Sequence, residues 1–163
     1  MRDTLASRLF QSLSAKDVVR FGKFLQSPYF NHRADVQALY RLLAEHSAAG
    51  TLANLEKEQV FTAVYPEKSW DRLQFNYLAG FFVELLEQSM ACEELLPARL
   101  QNRLFRCRAF RKRGLSRHFE KNAAELVREL HATPHRNAGF WLFEYQLQNE
   151  IFAHQLLQSG GKQ

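Results

Sequence analysis

Apolar residues recur at intervals of three and four along almost the whole chain, and proline, glycine or a capping residue interrupts the pattern at short intervals. That spacing gathers side chains on one face of a 3.6-residue turn, so it dictates α-helix wherever it persists. Leu5, Leu9 and Leu13 outline a first helix. Ser14 is placed to cap a second, with Asp17 in its first turn to meet the helix dipole and Val18, Phe21, Phe24 and Leu25 on its buried face. Ser27-Pro28 stops that helix, because proline has no N–H and disfavours αR in the residue before it. Asn31 is placed to cap a third, carrying Val36, Leu39, Tyr40, Leu42 and Leu43 and ending near Gly50. A short helix with Leu55, Val60, Phe61 and Val64 precedes Pro66.

The longest helix is predicted from about Trp70 to Met90, opened by Ser69. Leu73, Phe75, Tyr77, Leu78, Phe81, Phe82, Leu85 and Leu86 wrap most of its circumference, the pattern of a helix packed on several sides. Gly80 within it is expected to mark a close helix crossing, since a mid-helix glycine costs about 1 kcal/mol against alanine. Pro97 suits the start of the next helix and Gly114 its C′ position. Ser116 is placed to cap another, to about Ala132, Thr133-Pro134 breaks it, and a last helix runs from about Asn137 to Leu157. No strand pattern or two-residue hairpin turn competes. The expectation is an all-α fold: a multi-helix bundle of about eight helices in antiparallel hairpins, grading into a solenoid. At 163 residues it reads as a single domain, with a subdivision at 68/69 between small helices and long hairpins.

The 14 phenylalanines are conspicuous in a chain with only 7 glycines and 4 prolines. They rule out a disordered or turn-rich protein and supply a large core. The longest apolar run is cut at Glu84, so no membrane span is expected, and the amphipathic start does not have the apolar centre of a signal peptide. Cys92 and Cys107 fit no metal or redox spacing and suit a reducing cytoplasm. No Gly-rich phosphate loop, nucleophile elbow or CxxC occurs, and the six histidines offer no unbroken i,i+4 pair. Glu150 and His154 form one acid–histidine pair on the last helix, too little for a metal centre. The reading is a non-enzyme with no cofactor and no metal.

Two features point to binding. Residues 1–94 hold 10 basic against 12 acidic residues, whereas residues 95–163 hold 12 against 5, a net of +7. Between residues 99 and 121 lie Arg99, Arg103, Arg106, Arg111, Arg113 and Arg117, with Arg108, Lys112 and Lys121, against a single acid. Leu96, Leu100, Leu104 and Cys107 form the apolar stripe of this helix. The arginines either pair within the molecule, with Glu84, Glu87, Glu93 and Glu94 at hand, or form a nucleic-acid-binding surface. The second feature is exposed aromatic potential. Tyr29 and Phe30 in the loop after Pro28 serve either as a contact knob or as a plug between helices. Trp141 and Tyr145 belong to a last helix with apolar residues on more than one face. That helix is either central or expects a partner: a further helix beyond Gln163, as in the N-terminal part of a longer protein, or a second chain.

Ser27-Pro28-Tyr29-Phe30-Asn31 with the preceding Phe24-Leu25-Gln26, then Arg111-Lys112-Arg113-Gly114-Leu115 with Phe119, then the stretch Trp141 to Glu150, together resemble the N-terminal region of long, uncharacterised all-helical proteins of the Bacteroidetes. The resemblance implies a cytoplasmic bacterial helical scaffold of tetratricopeptide-like build, and carries no activity or site residues with it. The expected function is a non-catalytic scaffold or protein-interaction domain that binds a protein partner or itself. The alternative is a nucleic-acid-binding module using the basic helix.

Overall fold

The computed structural model describes residues 4–160. Among these residues it contains eight α-helices, a 3-10 turn at Leu52–Asn54 and no strand. The helices are α1 (Leu5–Gln11), α2 (Ala15–Gln26), α3 (Ala34–Ala48), α4 (Lys57–Val64), α5 (Arg72–Leu95), α6 (Arg99–Lys112), α7 (Ser116–His131) and α8 (Ala138–Gly160). The all-α reading holds. The chain divides into two compact units, Met1–Cys92 and Glu93–Gln163. The division lies near the end of α5 and not at 68/69. Phe75, Leu78, Phe82, Leu85 and Leu86 of α5 belong to the same core as α1–α4, so the long helix closes the first unit and does not open the second.

Local chemistry explains most of the boundaries. The Ser14 side chain accepts a hydrogen bond from the Asp17 N–H at 3.2 Å, and the Asp17 carboxylate accepts one from the Ser14 N–H at 3.3 Å, a reciprocal cap. Gly50 and Gly114 have φ of +68° and +69°, which only glycine adopts without strain. At each, the two N–H groups following the helix return to carbonyls of its last turn: Gly114 N–H to Arg111 and Leu115 N–H to Phe110, at 3.1 and 3.0 Å. Three expected helix starts are corrected. Ser116 does not cap α7 but is its first residue, with Leu115 at the N-cap position and no side-chain cap. Asp71, not Ser69, caps α5, accepting from the N–H groups of Leu73 and Gln74. Asn31 does not cap α3, whose N-cap position is Arg33. Buried in the loop, the Asn31 amide donates to the carbonyls of Leu25 and Arg33 and accepts from the Arg33 N–H at 2.9 Å. It ties the end of α2 to the start of α3. Beside it, Arg33 pairs with Asp35 at 2.7 Å, and Tyr65 donates to the same carboxylate. The Arg33 guanidinium outweighs partial burial and holds the Asp35 carboxyl down to about 2.

The first core is built on aromatic edges. Phe82 of α5 meets Phe21 of α2 edge-to-face at 5.4 Å and Phe10 of α1 at 6.0 Å, and Tyr40 of α3 meets Phe21 at 5.8 Å and Phe10 at 6.3 Å. The Tyr40 hydroxyl donates to the Val18 carbonyl at 2.9 Å, one turn before Gly22 on the same face of α2. A Cβ at Gly22 would come within 2.7 Å of Tyr40 Cζ, so Gly22 is where two helices need the absence of a side chain. Gly80, expected in that role, has open space around it. α5 is correspondingly one-sided: Leu73 and Tyr77 are exposed while Phe75, Leu78 and Phe82 are buried. In the second unit, α6 and α7 form a hairpin and α8 packs on both. Leu104, Cys107, Phe119, Leu126, Leu130, Phe140 and Leu147 make its core.

Gly22→Ala is expected to lower the unfolding free energy by about 1–3 kcal/mol through overpacking against Tyr40, although alanine is the better helix former. Gly80→Ala is expected to raise it by up to about 1 kcal/mol. Urea titrations of both variants check the contrast.

Candidate functional site

The basic helix α6 brings its arginines to acids on the two helices that follow it. Arg103, with a side chain only 16% exposed, donates to both Glu125 and Glu129, which stand one turn apart on α7. Arg99 adds a bond to Glu129 at 2.7 Å. On the side of α6 facing α8, Arg108 Nε and Arg111 Nε donate to the two oxygens of Glu150 at 2.6 and 2.8 Å. The Glu150 side chain is 8% exposed. Burial raises the pKa of this carboxyl, but the bonds from Arg111 and Arg108 outweigh it, and the net position is below the ordinary value. Glu129 is held low chiefly by Arg103. The sequence offers Glu84, Glu87, Glu93 and Glu94, before Pro97, as partners. The acids that serve are Glu125, Glu129 and Glu150, because α7 and α8 are the helices packed on α6.

Half of the predicted basic site is therefore spent inside the fold. Arg99, Arg103 and Arg111 are ion-paired. Among the described residues, Arg106, Lys112, Arg113, Arg117 and Lys121 have no carboxylate within ion-pair distance. Arg106 donates to the Asn102 side chain at 2.9 Å and Arg113 to the Ala109 carbonyl at 3.1 Å. Arg117 and Lys121, one turn apart on α7, line an open cleft of about 500 Å³ with His118, Asn122 and Glu125. Leu96, assigned to the apolar stripe of α6, precedes the helix and is exposed; Leu104 and Cys107 carry the stripe.

The acid–histidine pair read on the last helix does not form. Glu150 turns to the arginines, and His154 stacks on Phe119 at 4.1 Å with its buried Nε2 facing Glu120 at 3.7 Å. Phe119, Ile151 and His154 line a shallow pocket of about 410 Å³ between α7 and α8. His131, on α7, pairs instead with Glu144 of α8 at 3.0 Å. Among the described residues, no three of His, Cys, Asp and Glu gather where they could hold a metal ion. Cys92 and Cys107 are free thiols, and burial pushes the Cys107 thiol up.

The aromatic candidates separate. Phe30 stacks on Phe24 at 4.1 Å and plugs the α2–α3 corner, while its neighbour Tyr29 is 87% exposed. Trp141 and Tyr145 lie on α8, which is not a central helix. Its inward face carries Phe140, Leu147, Glu150 and His154. Its outward face carries Trp141, Tyr145, Phe152 and Leu156, all more than half exposed and within about 60° of one another at 100° per residue. Leu142 flanks them, equally exposed, and Leu157 is exposed beyond them toward the Glu150 side of the helix. Phe152, Leu142 and Leu157 were not singled out as contact residues. The i,i+4 spacing of Tyr145 and the i,i+11 spacing of Phe152 from Trp141 is the signal that could have found the stripe.

No protein-family model, no curated protein and no solved structure matches this chain. Among the described residues, no helix is long and apolar enough to cross a membrane.

Glu150→Gln is expected to destabilise the protein by about 2 kcal/mol. This is less than the 3–5 kcal/mol of a fully buried pair, because Arg108 can turn its guanidinium to water. The lowered carboxyl of Glu150 also makes stability acid-sensitive. Its contribution is complete above the ordinary glutamate value near 4.5 and is lost as pH falls through the lower folded value. Thermal melts of wild type and Glu150→Gln should converge over that window.

Proposed function

We propose that the chain is a non-catalytic, cytoplasmic helical scaffold that binds protein through the outer face of α8. The carrying observation is the stripe of Trp141, Tyr145, Phe152 and Leu156 on a helix whose opposite face is buried. A contiguous exposed patch of this size is uncommon on a soluble protein unless something covers it, and Trp and Tyr are the side chains that concentrate binding energy at interfaces. The resemblance of the Pro28 loop and of residues 141–150 to a family of helical scaffolds points the same way.

Capture from extract of the organism, with Tyr145→Glu/Phe152→Glu as the control, tests this reading. Wild type is expected to retain or pair with a protein that the variant loses. A chain that neither self-associates nor retains any protein through this face overturns it.

A second reading, nucleic-acid binding, is favoured by the five basic residues without a carboxylate within ion-pair distance, two of which, Arg117 and Lys121, line one cleft. Phosphate contacts predict affinity for nonspecific DNA or RNA that falls steeply with salt. Arg117→Glu/Lys121→Glu should flatten the slope of log K against log salt, while Arg103→Glu should act mainly on stability, because Arg103 is bound to Glu125 and Glu129. A salt titration that shows no binding at low ionic strength removes this reading.

A further inference from the structure

The outer face of α8 is neutral along its whole length. The helix contains two acids and neither lies within the strip: Glu150 is buried against Arg108 and Arg111, and Glu144 stands part-exposed at its edge, paired with His131 of α7. What remains outside is Trp141, Leu142, Tyr145, Gln148, Asn149, Phe152, Gln155 and Leu156, with Ser159 beyond. On a unit that holds the chain's entire excess of positive charge, with 12 basic and 7 acidic residues over 93–163, this is a strip with no sign for an acidic or a basic partner to complement.

The strip is also symmetric about a point. Trp141 and Leu156 are equidistant from the midpoint between Gln148 and Asn149, and so are Tyr145 and Phe152, and so are Leu142 and Gln155. A second copy of the helix, antiparallel and related by a two-fold axis through that midpoint, sets Trp141 against Leu156, Tyr145 against Phe152 and the Gln148 amide against Asn149. At the centre, apolar side chains meet apolar ones and amide meets amide, while at the edge Leu142 meets the stem of Gln155. The two-fold is the symmetry in which one patch covers itself. Paired amides near the axis define register as a polar position does within a coiled coil. From Trp141 to Leu156 the strip runs about 22 Å along the helix. With Leu142 at its edge it exposes on the order of 600 Å² of side chain, the larger part of the roughly 800 Å² per partner of a stable interface.

We propose that the occupant of this face is a second copy of the chain, in an antiparallel two-fold pairing of α8 with α8. The proposal rests on the reading of α8 as an interaction face and names what it binds.

Sedimentation velocity and light scattering of the full chain over a wide concentration range are the test. The expected result is a species of twice the 19.1 kDa chain mass, with Phe152→Glu raising the dissociation constant about tenfold or more at unchanged helical circular dichroism. Tyr145→Lys serves as the second variant. Geometry is read by disulfide formation in a Cys92→Ser/Cys107→Ala background. Tyr145→Cys mixed with Phe152→Cys should cross-link efficiently, and neither should do so alone. A chain monomeric throughout overturns the proposal. So does an open-ended oligomer, a dimer indifferent to Phe152→Glu, or Tyr145→Cys cross-linking to itself, which marks a parallel pair. A monomer that still retains another protein through α8 sinks the dimer and leaves the scaffold reading standing.

Discussion

Glu150, buried between Arg108 and Arg111, is the contact on which the second unit depends. A carboxylate that close to two guanidiniums is worth keeping only if α6 and α8 stay in register, because removing either side leaves charge out of water without a partner. The pair on the other side, Arg103 with Glu125 and Glu129, holds α6 to α7 in the same way. The three-helix unit is thus fastened by ion pairs on two sides of one basic helix, with Leu104, Cys107, Leu126 and Leu147 filling the middle.

This fastening inverts the usual amphipathic arrangement of α8. A surface helix ordinarily turns its charges to water and its aromatics to the core. Here α6 presents arginines where a core-facing stripe would normally meet apolar side chains, so Glu150 of α8 turns inward. Trp141, Tyr145, Phe152 and Leu156 are left outside. The first unit carries no such tension. Its core is a run of aromatic edges, Phe10, Phe21, Tyr40 and Phe82, fitted around the gap at Gly22, and the part-exposed pair of Arg33 with Asp35 organises a loop and not a surface.

Much of this was legible from residues alone, where the cause is local. The Ser14–Asp17 cap, the stop at Pro28, the glycine after Arg113 and the break at Pro134 depend on neighbours a few positions away, and each is where the spacing put it. Asn31 and Ser69 were misread as caps because a capping residue type announces only that it can bond to a nearby backbone. Asn31 found the carbonyl of Leu25 as well, six residues back, and Asp71 stood closer to the first free N–H groups of α5 than Ser69. Gly80 and Gly22 were indistinguishable in the sequence, since each is a glycine in a helical pattern; which one lies under a neighbour's ring is decided by helix crossing.

The candidate site shows the same division. That α6 is strongly basic and α8 strongly aromatic is written in the chain, and so is the helical nature of both. Periodicity determines which residues share a face, and local caps and breakers determine where each face begins and ends. Neither determines which face meets which helix. Only the packing of α6, α7 and α8 decided that Arg103 and Arg111 are consumed within the fold while Arg117 and Lys121 remain open, and that the aromatic stripe of α8 points to solvent. The physical reason is that an ion pair between residues some 40 positions apart, as Arg108 and Glu150 are, has no signature in local spacing; it exists only once three helices have closed around it.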